Sequence, residues 1–292
     1  MPGFSREKAK SRIVVSEVPA RAEPDLNLIH HPNPDHLQVT WIGHATFLLQ
    51  LAGKNILTDP IYSDCCAPVY LPNLRRRSAP GIPFSNLPPI DYVVISHDHY
   101  DHFDQDTIRR LGKGPVYLIP QGMEPLLRRM KLPRRVELDW WQSTNLDSLA
   151  FHCVPAQHCS GRGVFDRNRR LWGGWVIEGA DKKIFFAGDS GYSDIFLAIG
   201  GKFGPVDLSL LPIGAYSPRA LMKPVHMNPA EAVQIHLDLC SRQSIASHWG
   251  TFRLTSEPMD EPPRALAQAL ADKNIPAHHF LTPALGETIT IE

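Results

Sequence analysis

Two things are scarce in this chain: unbalanced charge and long apolar runs. Thirty basic residues offset thirty acidic ones among 292, so the basic surplus that marks nucleic-acid binders is missing and no nucleic-acid partner is expected. No stretch approaches the roughly 20 apolar residues that span a bilayer. Membrane contact is therefore expected only at a surface. Cysteine is also sparse. Cys65, Cys66, Cys153, Cys159 and Cys240 are odd in number and lack C-x-x-C spacing, which argues against a disulfide framework or a thiolate zinc knuckle and suits a reducing compartment. The first 25 residues hold no apolar segment of the roughly 7–15 residues that an export signal uses, so a cytoplasmic protein is expected, with any membrane association peripheral. What remains is a chain of 43% hydrophobic content, enough for a sizeable core.

Residues 1–36 are polar and proline-containing and read as an extended leader outside the core. One domain is expected over 37–292. Strand-like runs recur at 37–40, 45–51, 56–58, 92–96, 116–119, 149–154, 175–177, 183–187, 206–211 and 245–247. Helix-like segments lie at 104–111, 121–130, 192–199, 229–239 and 263–271, and Asn228 before Pro229 with Glu231 behind it is a helix-start signal. A meander followed by alternating strands and helices implies an α/β class, with sheets packed face to face and helices outside. No internal repeat is visible. An inserted loop over 61–90 carries six prolines, the run Arg75–Arg77 and no periodicity; loops of this length are often lids or binding loops.

The chemistry concentrates in Asp91–His102, DYVVISHDHYDH, an apolar strand that runs into His97, His99, Asp101 and His102. Side chains two apart on extended backbone face the same way, so His97 and His99 can grip one metal, and Asp101 and His102 can turn toward a second. Imidazole and carboxylate suit zinc, and iron or manganese also accept them. A fortuitous histidine cluster would desolvate these groups at high cost without return. His158, Asp189 and His248 each follow a strand-like run, where α/β sheets gather ligands. Cys159, beside His158, points away from it on extended backbone. Trp172, Trp175 and Trp249 read as core. His44 reads as a group that packs against or orients ligands.

The H-x-H-x-D-H run resembles the signature of the metallo-β-lactamase superfamily, and His158, Asp189 and His248 follow in that superfamily's order. The resemblance implies a four-layer αββα sandwich. It implies two metals, taken as zinc, one held by His97, His99 and His158 and the other by Asp101, His102 and His248, with Asp189 shared; two such ions lie about 3.5–4 Å apart. TWIGHATFLL, LTDPIYS, SHDHYDH, AGDSGY, MKPVHMNPAEAVQIH and HWGTF further resemble the N-acyl-phosphatidylethanolamine-hydrolysing phospholipase D family. That likeness implies Tyr100 and His226 at the substrate phosphate, with Asp101, Asp189 and His226 as catalytic groups. The implied reaction is attack on phosphorus by a hydroxide bridging the zincs, which releases N-acylethanolamine and phosphatidate. His226 has a second reading, as the cap of the helix that starts near Asn228. A diacyl lipid substrate calls for contact with a membrane surface, for which Tyr70, Leu71, Leu74 and Phe84 beside Arg75–Arg77 are the candidates. Competing functions on such a scaffold are a lactonase or other small-molecule hydrolase and a di-iron redox protein. A homodimer is compatible with the sequence, which does not set the oligomeric state.

Overall fold

A computed structural model describes residues 18–291. The apolar, β-branched runs assemble into two seven-stranded sheets. In the first, β1 (Leu37–Gly43), β2 (Thr46–Leu51) and β3 (Lys54–Thr58) form an antiparallel meander. The sheet continues in parallel through β4 (Tyr92–Val94), β5 (Val116–Pro120) and β6 (Arg135–Leu138). The second sheet repeats this succession. There β7 (Ser143–Leu146), β8 (Leu149–Val154), β9 (Gly174–Gly179) and β10 (Lys182–Phe186) are antiparallel. Then β11 (Leu208–Pro212), β12 (Gln243–Ser247) and β13 (Phe280–Leu281) run parallel to β10. The last strand, β14 (Thr288–Ile291), crosses back to pair with β1. The chain thus has a repeat of topology without a repeat of sequence.

Alternation along the strands sorts side chains between two cores. Val39, Trp41, Phe47, Leu49, Ile56 and Val94 join residues of the second sheet in the main core. Their neighbours Ile42, Leu48, Leu57, Val93 and Ile95 face the other way, onto α1 (Leu26–His30), α2 (Gln105–Leu111) and α3 (Glu124–Arg129). On the far side, α4 (Ile195–Phe203), α6 (Pro229–Asp238) and α7 (Glu261–Asp272) cover the second sheet, and the short α5 (Arg219–Met222) precedes α6. Two sheets back to back with helices outside are the expected four-layer α/β sandwich.

Most expected elements form within a few residues of their anticipated bounds. The strands not anticipated, β6, β7, β13 and β14, lie at or beside sheet edges and are short or polar, so apolar periodicity does not mark them. The expectation that everything before residue 37 stays outside the core needs correcting. Residues 1–17 lie outside the described residues, but Asp25 caps α1 through Leu28 N at 3.0 Å, and Ile29 is fully buried against the first sheet. Leu26, Leu28 and Ile29 in a five-residue helix are too short a run to read from periodicity. The inserted loop holds two 3-10 turns, Pro72–Leu74 and Phe84–Asn86, and an isolated bridge between Cys65 and Arg75. Its start is tied to α2 by the Asp104 carboxylate, which accepts from the backbone N of Tyr62 and Ser63 at 3.2 and 3.0 Å and from Ser63 Oγ at 2.9 Å.

Strand direction positions the site. The carboxyl ends of β1, β3 and β4 share one edge of the first sheet, those of β8, β10 and β12 share one edge of the second, and every candidate ligand follows one of these ends. The two edges meet closely: Gly188, at φ +60°, sits where an added Cβ would come within 2.4 Å of Ser96 Cβ. Glycine alone tolerates both that dihedral and that approach.

Candidate metal centre

After β4 the chain leaves the sheet and delivers His97, His99, Asp101 and His102 within one tight turn, closed by Phe103 N donating to His99 O at 2.8 Å. Three imidazoles converge on one side. His97 Nε2 lies 2.8 Å and His158 Nε2 3.3 Å from His99 Nδ1. On the other side the Asp101 carboxylate faces His102 Nε2 and His248 Nε2, both at 3.4 Å. Asp189 stands between the groups, with Oδ2 at 3.1 Å from His102, 3.2 Å from His248 and 3.9 Å from His158. The structure therefore brings all seven residues expected as ligands into one cluster: His97, His99 and His158 lie together, Asp101, His102 and His248 lie together with His44, and Asp189 lies within 4 Å of His102, His248 and His158.

Several of the imidazoles have one nitrogen fixed from outside and the other turned inward, the arrangement that sets the tautomer of a metal-binding histidine. His158 Nδ1 donates to Val225 O at 2.8 Å. His102 Nδ1 lies 2.7 Å from Asp59 Oδ2. His97 Nδ1 meets Ser96 Oγ at 2.9 Å, and that hydroxyl in turn donates to Asp59. One buried carboxylate thus orients an imidazole in each group. Asp59 stands in the LTDPIYS motif but does not stand out from sequence alone, because a lone acid after a strand also reads as a turn residue. Its carboxyl is pushed above the ordinary range by burial, against the pull of His102. His44, read from the sequence as a group that packs against or orients ligands, stands close enough to Asp101, His102 and His248 to share an ion with them. Its Nε2 is 3.0 Å from Asp101 Oδ2, and its carbonyl accepts from His248 N at 3.0 Å.

The electrostatics of the cluster couple its carboxylates to its imidazoles. Burial opposes ionisation of Asp101 and Asp189, yet the imidazoles around them outweigh it and hold both carboxyls well below the usual range. Burial drives His158 and His44 down to about 3 and His226 to about 4. Against the same burial, Asp189 and Asp101 raise His248 to about 9 and His102 well above its ordinary value. His102 Nε2, Asp189 Oδ1, His226 Nδ1 and both ring nitrogens of His248 are buried without a hydrogen-bond partner. Buried orphan donors and acceptors are costly. A set of inward-facing nitrogens and carboxylate oxygens is satisfied by a pair of divalent cations, so the residues present fit the metals expected of them.

The rim supplies the remaining expected residues. His226 lies beside the cluster, its Nδ1 3.9 Å from Asp189 Oδ2 and its ring 5.1 Å from that of His158. It does not cap α6. Asn228 does so in a reciprocal pair with Glu231, each bond 2.9 Å. Tyr100 follows His99 in the ligand turn, but its hydroxyl donates to Arg162 O at 2.8 Å and the Arg162 guanidinium lies 3.8 Å over its ring. The ring face and donor expected of Tyr100 are thus already engaged, and Arg162, which sequence reasoning did not single out, brings positive charge to the same place. Tyr100 and Arg162 line a cleft of about 570 Å³ closed on the far side by Ser63, Cys65, Val69 and Tyr70. The tryptophans are structural: Trp175 Nε1 donates to Ile95 O, Trp172 Nε1 to Ala156 O, both at 2.8 Å, and Trp249 stacks on Trp41.

Comparison with known proteins agrees with this geometry. Residues 54–249 match the family described as beta-lactamase superfamily domain. An uncharacterized protein of Mycobacterium tuberculosis is 40% identical over 93% of this chain and 77% of its own length. N-acyl-phosphatidylethanolamine-hydrolyzing phospholipase D 1 of Caenorhabditis elegans is 37% identical over 86% of this chain and 75% of its own. Among solved structures, isothiocyanate hydrolase from Delia radicum gut bacteria superposes with a TM-score of 0.69 at 24% identity, covering 86% of this chain and 98% of that one. This last likeness concerns the fold. On the sandwich, the converging ligands and these matches, the chain belongs to the metallo-β-lactamase superfamily and is a metal-dependent hydrolase.

Proposed function

We propose that the chain is a two-zinc phosphodiesterase that cleaves N-acyl-phosphatidylethanolamine-type phospholipids into N-acylethanolamine and phosphatidate. The observation that carries this reading is its 37% identity, over 86% of its length, with the worm enzyme named for that reaction. In this reading His97, His99 and His158 hold one ion, Asp101, His102 and His248 the other, and Asp189 both. Two bound zinc ions supply Lewis acidity toward a phosphate ester and lower the pKa of water to about 7. In this reading His226, whose Nδ1 lies 3.9 Å from Asp189 Oδ2, donates to a phosphate oxygen. The Arg162 guanidinium over Tyr100 adds fixed positive charge next to the ligand turn, which suits an anionic headgroup.

Exposed apolar side chains around the cleft favour a lipid substrate. Val69 and Tyr70 on the inserted loop are more than half exposed, and Val164 and Phe165, beyond Arg162, are 88% and 85% exposed. Leu74 and Phe84, expected among the membrane-facing residues, pack elsewhere: Leu74 against Ile61 and Phe252, and Phe84 between Tyr62 and Arg110. Arg76 is likewise engaged, donating to Ile61 O at 2.6 Å, so it belongs to the loop's framework.

The test is metal analysis of the purified protein followed by incubation with N-acyl-phosphatidylethanolamine vesicles and product identification by mass. Zinc together with released phosphatidate is expected, and Asp189→Asn is expected to abolish the release. Bound metal with turnover of soluble lactones and none of vesicles would replace the lipid reading with a lactonase and leave the fold and ligands standing.

A further inference from the structure

Asp98 lies between the ligands His97 and His99 and is fully buried. Its carboxylate reaches across to the span between β8 and β9. Oδ1 accepts from Gly161 N at 2.7 Å, and Oδ2 pairs with the guanidinium of Arg170. Arg170 pairs also with Asp166, whose Oδ1 accepts from the backbone N of Arg162 and Gly163 at 3.0 and 2.7 Å. Arg162 returns the contact by donating through Nη1 to Asp98 O at 2.6 Å and Phe103 O at 2.9 Å. These bonds join two stretches of different character. One is the short ligand turn after β4. The other is the span 155–173, which carries His158 and contains neither helix nor named strand. Apart from the bridge between Gln157 and Gly191, this irregular span has no ladder to fix a side chain to the tolerance that metal binding requires.

We propose that Asp98 and Arg170 form a clamp that registers His158 against His97 and His99. This rests on the reading that those three imidazoles hold one cation. Asp98 and Arg170 are positioning residues that touch neither metal nor substrate. The clamp acts on one ion in preference to the other, because His158 alone among the ligands lies on the clamped span. Buried pairs of this kind add little by being present but leave an uncompensated charge when one member is removed. Loss of either partner is therefore felt by the whole span.

Zinc titration of chelator-stripped protein against a chromophoric chelator tests this. The wild-type chain is expected to take up two equivalents. Asp98→Asn is expected to keep one at wild-type affinity and to weaken the other about 10- to 100-fold, the usual effect of losing an outer partner of a ligand. Combined with His158→Ala, Asp98→Asn should cost nothing further, because the clamp works through His158. Arg170→Met should give the same pattern and carries the test where Asp98→Asn yields no folded protein. Unchanged affinities, equal weakening of both ions, or a loss additive with His158→Ala would overturn the clamp. A wild-type chain that takes up no zinc would overturn the metal reading itself, and the clamp with it.

Discussion

Asp59 and Asp98 show how two carboxylates of similar burial take different parts. Asp59 bonds one imidazole directly and a second through Ser96, one in each ligand group. Asp59→Asn is expected to weaken both zinc ions, each by about 10- to 100-fold, in the same competition titration; weakening of only one would show that the Ser96 relay does not matter. The ligands themselves were legible because H-x-H-x-D-H is a local pattern whose spacing carries the chemistry. The residues that orient them were not. Asp59 meets His102 across 43 positions and Asp98 meets Arg170 across 72, and no local spacing announces such a pair. His226 was legible through its surrounding motif, and only the structure separates it from the capping role that Asn228 fills.

Among the elements, α6 was read correctly from its start signal, whereas β6, β7, β13 and β14 escaped because edge strands need not be apolar on either face. Helix α6 also holds a titratable group remote from the metals. His236 packs near Phe280 with Nδ1 at 2.9 Å from Ser244 Oγ on β12, and burial, helped by His279, lowers it from 6.5 to about 4. The unfolded chain thus takes up this proton first as pH falls. The stability it contributes is complete above about 6.5 and is lost as pH drops through 4. One proton corresponds to a slope of at most about 1.4 kcal/mol per pH unit. In urea unfolding of chelator-stripped protein, His236→Gln should show a shallower fall across this window than the wild type. Equal slopes would refute the assignment.

At the scale of the molecule, no helix among the described residues is long and apolar enough to cross a membrane, so the lipid reading depends on surface contact. Val69 and Tyr70 line the cleft together with Arg162, and the exposed Val164 and Phe165 follow Arg162 along the chain. Full insertion of a valine or phenylalanine is worth about 1.5–3 kcal/mol. The double change Val164→Ser with Phe165→Ser is expected to reduce vesicle co-sedimentation about tenfold or more while zinc uptake stays unchanged. Undiminished co-sedimentation would assign these side chains another purpose. Neither span was marked as a pair by the sequence, since nearly a hundred residues separate them.

The return of β14 to β1 and the meeting of the two carboxyl edges have a mechanical consequence. In the proposed reading neither sheet by itself offers a complete ligand set: of the candidate ligands, His97, His99, Asp101 and His102 hang from one, and His158, Asp189 and His248 from the other. An ion gripped between them acts as a rivet through the seam, joining distant parts of the chain much as a covalent tie would. Whatever binds the folded chain and not the unfolded one stabilises it by mass action. The reagent that makes the protein a hydrolase is then also one of its fasteners, and stripping it should loosen the partnership of the halves before it disturbs either half.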